Sequence, residues 1–285
     1  MNALSKLRHS FVGKAVRKGL HTYFKASYAG GPPLDYRLPG GLTMRLYPEG
    51  EIAEFLAFPW LFEPNELRLV AGLLKPGMSV IDVGANIGLY SILAALRTGP
   101  NGRVWAFEPS TESSSRLERN LRLNNCERVD VIRLALSDRA SSASLVSDSG
   151  FGDAYRYIRP DVAASGGEVV KVTTLDEWAA ANGVGPVDFL KVDIEGGEYR
   201  MFLGAREFLS SSPALVIMFE CEEDWSSRSG WKPQDVYELL RSLGFKLFAW
   251  EARSRRWTES PEALSKTGTL WAARDQSSLP LPASN

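Results

Sequence analysis

Four acidic residues stand where predicted strands end. They are Asp82, Glu108, Asp193 and Glu220, and each follows a short, mostly apolar run. One acid at such a place is ordinary, but four in one crevice indicate a site, because clustered charge needs a ligand or a chemical task. Carboxylates there can bind a cation, accept hydrogen bonds from hydroxyls or take the proton of a reacting alcohol. The sequence therefore predicts one ligand site with several carboxylates.

A glycine turn, residues 84–88, follows the first of these acids. Gly84, Asn86 and Gly88 occupy every second position between a mostly apolar run and a second apolar run with helical spacing. This pattern predicts a buried strand, a tight turn and a helix N-terminus. Glycine permits positive φ and close backbone approach, and asparagine tolerates the left-handed region. The open amides of the helix start are expected to face a ligand above the turn.

Two classes of ligand use a turn of this kind. A dinucleotide site with the spacing G-x-G-x-x-G needs glycines at 84, 86 and 89, but Asn86 and Leu89 occupy two of these positions, which disfavours a nicotinamide-dependent oxidoreductase. S-adenosylmethionine has a cationic amine instead of phosphate, and an acid at the strand end can bind it. The turn resembles the acid-x-G-x-G-x-G loop of class I methyltransferases. The cofactor-binding residues predicted here are Asp82, Gly84, Ala85, Asn86 and Gly88.

Strand and helix patterns alternate along most of the chain. This alternation predicts an α/β fold with a doubly wound, mostly parallel, Rossmann-like sheet and helices on both faces. In such sheets ligands bind beyond the carboxyl ends of the strands. The strands predicted after the glycine turn include residues 103–107, 129–136, 169–173, 187–192 and 214–219.

The chain divides into four predicted parts. Residues 1–30 form a basic helical arm, residues 31–62 a small β cover, residues 63–276 the methyltransferase domain and residues 277–285 a flexible tail. Glycine and proline mark the first boundary, and serine and proline are frequent in the tail. The sequence does not indicate an oligomeric state.

Charge is unevenly distributed. The arm holds six basic residues and no acid, and the rest of the chain has 27 basic and 34 acidic residues, a net charge of −7. This balance argues against a nucleic-acid-binding protein. The arm either contacts an anionic membrane surface weakly or packs on the domain as a solvated helix. Two cysteines without a disulfide or zinc pattern, and the lack of an apolar signal or membrane-spanning run, predict a cytoplasmic location, with the arm peripheral at a membrane as the alternative.

A second motif, Lys191-Val-Asp-Ile-Glu-Gly-Gly-Glu198, ends a predicted strand. Alternation along the strand points Lys191 and Asp193 to one side. Glu195 and Glu198 fall in the following turn and at a helix start, where the helix dipole alone favours acids. Asp193 has no such explanation, because it ends a strand opposite the expected methyl donor.

Five motifs in order resemble the FkbM-type methyltransferase family over about residues 60–220. They are Asp82-Val-Gly-Ala-Asn-Ile-Gly88, Ala106-Phe-Glu-Pro109, Ala135-Leu-Ser-Asp138, Thr174-Leu-Asp176 and the Lys191–Glu198 motif. The resemblance implies an S-adenosylmethionine-dependent O-methyltransferase, acting on a sugar or polyketide hydroxyl. Glu108 is expected to accept the ribose hydroxyls of the donor. Ser137 and Asp138 are expected to meet its adenine amino group, although an ordinary turn also explains them.

The chemistry is predicted to rest on carboxylates. Such proteins often have an acid-x-His arrangement after the strand that ends at Glu220, but the only histidines here, His9 and His21, lie in the arm. Asp193 is therefore the first choice for the group that orients or deprotonates the acceptor hydroxyl, followed by Glu195 and Glu220. A magnesium-type site through Asp193 and Glu220 is a less favoured alternative, and no metal is predicted.

The predicted acceptor is a sugar hydroxyl of a glycan, a glycolipid or a glycosylated metabolite. A polyketide, lipid or other small-molecule hydroxyl is the alternative, and a non-catalytic ligand-binding module is a weaker one. The acceptor side is expected to come from the β cover and residues 150–167 and 222–232. Within the last segment, Trp225 and Trp231 suit either a sugar ring or internal packing.

Overall fold

The computed structural model describes residues 31–38, 41–47, 64–147, 156–159, 167–221, 226, 229–252, 254–259 and 268–280. The predicted N-terminal arm lies outside these residues. The described part contains seven α-helices, namely α1 (Pro64–Leu73), α2 (Leu89–Thr98), α3 (Thr111–Leu123), α4 (Leu175–Asn182), α5 (Glu198–Leu203), α6 (Arg206–Ser210) and α7 (Pro233–Ser242).

Fourteen strands are described. The first seven are β1 (Leu34–Arg37), β2 (Thr43–Leu46), β3 (Ser79–Val83), β4 (Arg103–Phe107), β5 (Asp130–Ile132), β6 (Ala135–Leu136) and β7 (Ser141–Ser147). The others are β8 (Arg156–Arg159), β9 (Glu168–Thr173), β10 (Phe189–Val192), β11 (Val216–Cys221), β12 (Lys246–Glu251), β13 (Arg256–Glu259) and β14 (Gly268–Ala273).

The central sheet has eight strands in the order β13-β12-β14-β11-β10-β3-β4-β5. The five strands from β11 to β5 run parallel, and β14, β12 and β13 extend the sheet with antiparallel pairings. All four residues of β10 are buried, as expected for a strand covered on both faces. The predicted doubly wound, mostly parallel α/β sheet is confirmed.

Helices cover both faces of this sheet. Because successive side chains of a strand point to opposite faces, Val80 of β3 belongs to a core that it shares with α1, α2 and α3, whereas Ile81 belongs to a second core with α4, α5, α6 and α7. The second core is rich in aromatic rings, and Phe202 of α5 meets Phe219 of β11 edge to face with 5.5 Å between ring centroids. The helices on both faces pack against the parallel strands and so hold the carboxyl ends of these strands in place.

A second sheet includes part of the segment 129–136, which the sequence predicts as one strand. The structure divides this segment in two: β5 closes the edge of the central sheet, and β6 joins a four-stranded sheet in the order β6-β9-β7-β8. The predicted strand at 169–173 also belongs to this small sheet, where it pairs antiparallel with β7. The chain leaves the central sheet after only three residues of β5, and apolar periodicity cannot show which sheet a strand enters.

The small sheet is tied to the start of α3. Arg156 of β8 donates to Ser110 Oγ and forms a 2.7 Å ion pair with Glu112. Glu168 of β9 accepts from the backbone amide of Thr111 at 2.9 Å. The segment 150–167, expected on the acceptor side, contains β8, and residues 150–155 and 160–166 lie outside the described part.

The described strands of the predicted β cover form an antiparallel pair. Asn120 of α3 and Asn124, which follows the helix as its C-cap, hydrogen-bond to the backbone of β2, and Met44 is fully buried in the core shared with α1. The first residues of the predicted tail, 277–280, are described. Gln276–Ser278 forms a 3-10 turn, and Pro280 accepts a hydrogen bond from Trp257 Nε1 at 2.8 Å. No helix of the described residues is long and apolar enough to cross a membrane.

Candidate active site

The carboxyl ends of β3, β4, β10 and β11 bring the four predicted acids to one edge of the sheet. Asp82 lies within β3 and is 1% exposed, Glu108 follows β4, Asp193 follows β10, and Glu220 lies near the end of β11. The register places Lys191 of β10 directly beside Asp82 of β3. This edge therefore gathers side chains that are as much as 138 positions apart in the chain (Asp82 to Glu220).

The glycine turn has the backbone that its sequence predicts. Gly84, Asn86 and Gly88 have φ angles of 75°, 49° and 96°. A Cβ on Gly84 would fall well inside 3.0 Å of the Asp193 carbonyl oxygen, so this glycine allows contact between two parts of the protein backbone. That Gly84 allows close approach of a ligand remains a prediction. The structure shows another requirement for glycine at this position, which is the contact with the Asp193 backbone.

Several amides of the glycine turn are occupied within the protein. The amides of Gly84 and Ala85 donate to the Phe107 carbonyl, each at 3.0 Å, and the Asn86 amide donates to Glu108 Oε2 at 2.9 Å. These are amides of the turn itself, and the expectation that the open amides at the start of α2 face a ligand remains a prediction. The turn amides hold the turn against β4, which is how the turn reaches its position.

Glu108 links the glycine turn to α3. Its Oε1 accepts from the amide of Ser110 at 3.0 Å, while the hydroxyl of Ser110 caps the helix by accepting from the Ser113 amide. Burial raises the pKa of Glu108 to about 7, although the two backbone amides lower it. A carboxylate with one amide on each oxygen keeps further lone pairs that can accept hydroxyl donors.

Two buried oxygens beside the turn suit a cationic or hydrogen-bond-donating ligand. Among the described residues, Asp82 Oδ1 and Asn86 Oδ1 are buried and have no hydrogen-bond partner, although the Lys191 ammonium forms an ion pair with Asp82 Oδ1 at 3.5 Å. The other oxygen of Asp82 accepts from Ser91 Oγ at 2.6 Å. Because an unsatisfied buried acceptor is costly, these atoms are the places where a donor group of a ligand would gain most. The methionine amine of S-adenosylmethionine fits this requirement.

The turn after β10 and the end of β11 bring three carboxylates together. One oxygen from each of Asp193, Glu195 and Glu220 lies within 4.8 Å of the others, and we call these three residues the carboxylate cluster. Glu195 has a φ of 53°, an unusual value for a residue with a side chain. An all-oxygen set of this kind can hold a hard cation or act directly on a hydroxyl.

Glu198 has a different role from Glu195. It is 2% exposed, and its Oε1 accepts from the amides of Ile194 and Gly196 at 3.1 and 3.3 Å. Burial raises the pKa of Glu198 to about 7.

Trp231 also supports the turn after β10, since its Nε1 donates to the Gly196 carbonyl at 2.7 Å. Trp231 is therefore a packing residue, and Trp225 lies outside the described residues.

A cavity of about 450 Å³ adjoins the carboxylate cluster on the side of the small sheet. Ser137 and Asp138 line it together with Glu195, which places the predicted adenine-contacting residues and one member of the cluster on the same cavity. Ser137 Oγ donates to Asp138 Oδ1 at 3.2 Å, and Arg200 lies 3.7 Å from the other Asp138 oxygen. The wall opposite comes mainly from β7 and β8, through Ser141, Ala143, Tyr157, Ile158 and Arg159.

The sequence interpretation assigned no role to Lys191. The side chain is buried, and Nζ lies 3.5 Å from Asp82 Oδ1, 3.2 Å from Asp193 Oδ2 and 3.0 Å from the Gly84 carbonyl oxygen. Strand alternation already put Lys191 on the side of Asp193, but only the parallel pairing of β3 with β10 brings it to Asp82. The signal in the sequence for a role of Lys191 was its position two residues before Asp193, the acid at the end of the strand.

A family model described as the methyltransferase FkbM domain matches residues 82–247, which is more than half of the chain. The chain belongs to the FkbM methyltransferase family. It is an S-adenosylmethionine-dependent methyltransferase, and the family resemblance and the cofactor predicted from the sequence are confirmed. The matched range begins at Asp82 and includes the glycine turn, Glu108 and the carboxylate cluster.

Three curated relatives share this family. The 2-O-methyltransferase NoeI of Sinorhizobium fredii is 24% identical over 61% of this chain and 76% of its own length. The 31-O-demethyl-FK506 methyltransferase FkbM of Streptomyces tacrolimicus is 28% identical over 75% of this chain and 89% of its own length. The hexuronic acid methyltransferase AglP of Haloferax volcanii is 24% identical over 62% of this chain and 67% of its own length.

Proposed function

We propose that this enzyme transfers a methyl group to a sugar hydroxyl of a glycan, a glycolipid or a glycosylated metabolite. The observation that carries the proposal is the position of the carboxylate cluster, next to the glycine turn at the carboxyl edge of the sheet. An alcohol is a weak nucleophile, so a carboxylate that orients it and takes its proton suits O-methylation. The relatives NoeI and AglP, a 2-O-methyltransferase and a hexuronic acid methyltransferase, support the choice of acceptor.

The donor side of the proposal uses the glycine turn and the two strands beside it. When bound, S-adenosylmethionine supplies an electrophilic methyl group. Asp82 binds the amine, Asn86 offers its buried amide oxygen, and Glu108 accepts ribose hydroxyls on the lone pairs that its two amides leave. Ser137 and Asp138 bind the adenine end in the 450 Å³ cavity.

The acceptor side of the proposal uses the carboxylate cluster. Asp193 orients the acceptor hydroxyl and receives its proton, and Glu195 and Glu220 help to place the alcohol. A hard cation held by the same oxygens is the alternative arrangement, since the cluster supplies the ligand type that magnesium prefers. A chelator distinguishes direct action of Asp193 from action through a cation.

One relative favours a second acceptor class. FkbM of Streptomyces tacrolimicus, the most completely aligned of the three relatives, methylates 31-O-demethyl-FK506 according to its name. A hydroxyl on a polyketide, a lipid or another small molecule would need the same carboxylate chemistry. The two classes differ only in the wall of the acceptor site, to which residues outside the described part are expected to contribute.

The test uses methyl-labelled S-adenosylmethionine and three acceptor sets: neutral glycosides, uronic acid glycosides, and macrolides with a free hydroxyl. Mass spectrometry then locates the label. The expected result is an O-methyl ether on a sugar. Label on the macrolides alone would overturn the sugar assignment but leave O-methylation in place. Label on nitrogen or carbon would overturn both.

The basic arm carries a separate proposal. Its six cationic residues and lack of acids suit weak contact with an anionic membrane surface, and the net charge of −7 on the rest of the chain does not suit nucleic acid. Deletion of residues 1–28 should then release the protein from anionic vesicles without lowering turnover of a dissolved acceptor. Equal vesicle binding by both forms would count against this proposal.

A further inference from the structure

Lys191 lies between the acid proposed to bind the donor and the acid proposed to act on the acceptor. Its Nζ is 3.5 Å from Asp82 Oδ1 and 3.2 Å from Asp193 Oδ2. The same nitrogen donates to the Gly84 carbonyl at 3.0 Å. One ammonium group thus contacts β3, the glycine turn and the end of β10, the three segments that must be aligned for transfer.

The burial of Lys191 makes these contacts strong determinants of position. The residue is 4% exposed, and a buried ammonium is stable only when it is paired and hydrogen-bonded. The Tyr90 ring adds a cation–π contact, with Nζ 5.4 Å from the ring centroid. Moving the amine away from the carboxylates would leave its own buried charge uncompensated. The amine therefore fixes the position of Asp82, which is also buried, and of Asp193, whose side chain is 34% exposed.

Lys191 also offsets the repulsion within the carboxylate cluster. Glu195 and Glu220 place negative charge beside Asp193, and the Lys191 ammonium lies 3.2 Å from Asp193 Oδ2. Attraction to this ammonium opposes the tendency of the like charges to push the Asp193 side chain away. With Oδ2 of Asp193 held by Lys191, its other oxygen is left for the acceptor hydroxyl.

We infer that Lys191 is a positioning residue of the methyl-transfer reaction, which holds Asp82 and Asp193 in register. The inference rests on the proposed function for the role of Asp193. The amine faces Asp82, Asp193 and Tyr90, and its charge also reaches Glu108.

The first test compares Lys191→Met, Lys191→Arg and the control Lys171→Met, which removes an exposed lysine of β9. Lys191→Met should lower kcat by at least about tenfold with a smaller change in the KM for the donor, because Asp193 is no longer held where it meets the acceptor hydroxyl. Lys191→Arg should restore part of kcat, because a guanidinium can still pair with both carboxylates. An unchanged kcat in Lys191→Met, or equal losses in Lys191→Met and Lys191→Arg, would overturn the positioning role.

The second test needs no acceptor and so separates this inference from the proposed function. Urea unfolding of the native enzyme, Lys191→Met, Asp193→Asn and the double variant forms a double-mutant cycle. The double variant should be more stable than the sum of the single losses predicts, because each single variant already removes the Lys191–Asp193 contact and the double variant loses it only once. Additive losses would overturn the inference. A coupled cycle without O-methyl transfer would instead overturn only the proposed function.

Discussion

Gly84 packs directly against the backbone of Asp193. A Cβ on Gly84 would lie well inside 3.0 Å of the Asp193 carbonyl oxygen and at 3.0 Å from the Ile194 side chain. The Gly84 φ of 75° also belongs to the region that residues with side chains rarely adopt. The glycine turn and the turn after β10 can therefore approach each other only without a side chain at position 84, and that contact sets the distance between the two halves of the site.

Gly84→Ala should reduce both stability and turnover. The new methyl group must displace the Asp193 carbonyl, so unfolding in urea should show a loss on the order of 2–4 kcal/mol from strain and overpacking. Gly77→Ala is the matched control, because Gly77 has a φ of 87° and open space where the methyl would go. The control should lose only about 1–2 kcal/mol and keep its turnover. Equal losses for the two variants would show that the contact with Asp193 is unimportant.

Much of the central sheet could be predicted because its strands are short apolar runs that end in acids. β3, β4, β10 and β11 all match predicted strands, and the helices between them follow the expected apolar spacing. The small sheet could not be predicted in the same way. The division of the segment 129–136 depends on pairing with β9, which lies more than 30 residues further along the chain, and periodicity contains no information about partners.

The sequence could predict which residues form the site, but it could not predict the contacts that these residues make. The strand-end rule brought the four acids together, yet nothing local showed that Glu108 would accept the Asn86 amide or that Lys191 would reach Asp82. Both contacts join different strands or turns. The roles of Trp231 and Glu198 show the same limit, because their partners are backbone groups of the turn after β10.

Glu195→Gly should separate backbone strain from chemistry. Glu195 has a φ of 53°, and glycine adopts this angle freely, so relief of strain should roughly offset the added chain entropy and leave stability within about 1 kcal/mol. Turnover should fall, because one member of the carboxylate cluster is lost. Arg255→Gly is the control: it has the same φ of 53° in the exposed turn between β12 and β13 and should keep full turnover. Thermal melts and initial rates measure both effects, and unchanged turnover of Glu195→Gly would remove Glu195 from the acceptor site.

The stability of the protein should decrease as the pH rises from about 4.5 to 7. Burial raises the pKa of Glu198 to about 7 in the folded state from an ordinary value of 4.5. Between these values the unfolded chain ionises Glu198 while the folded chain keeps it protonated, so rising pH favours unfolding, by about 3 kcal/mol at most for this group. Glu108 contributes in the same direction.

Glu198→Gln removes the contribution of Glu198 to the pH dependence of stability. The amide oxygen can still accept from Ile194 and Gly196, but the side chain no longer titrates. The free energy of unfolding, measured in urea from pH 4.5 to 7.5, should therefore decline less steeply in the variant. Glu207→Gln, at an exposed position of α6, should reproduce the native slope. A native slope in Glu198→Gln would mean that Glu198 is ionised in the folded protein throughout this range.

Asp193→Asn tests the proposed chemistry most directly. The substitution keeps the shape of the side chain and removes its charge, so calorimetric affinity for S-adenosylhomocysteine should change by less than about threefold, within the scatter expected for one exchanged hydrogen bond. Turnover should fall by about 10²–10⁴-fold, the usual contribution of a general base.

Chelator and added magnesium should leave the native enzyme unaffected if the Asp193 carboxylate acts directly. Near-native turnover of Asp193→Asn would transfer the role to Glu220 or Glu195, and Glu220→Gln or Glu195→Gln should then show the loss. Strong inhibition of the native enzyme by chelator, reversed by magnesium, would instead make Asp193 a ligand of a cation held by the carboxylate cluster.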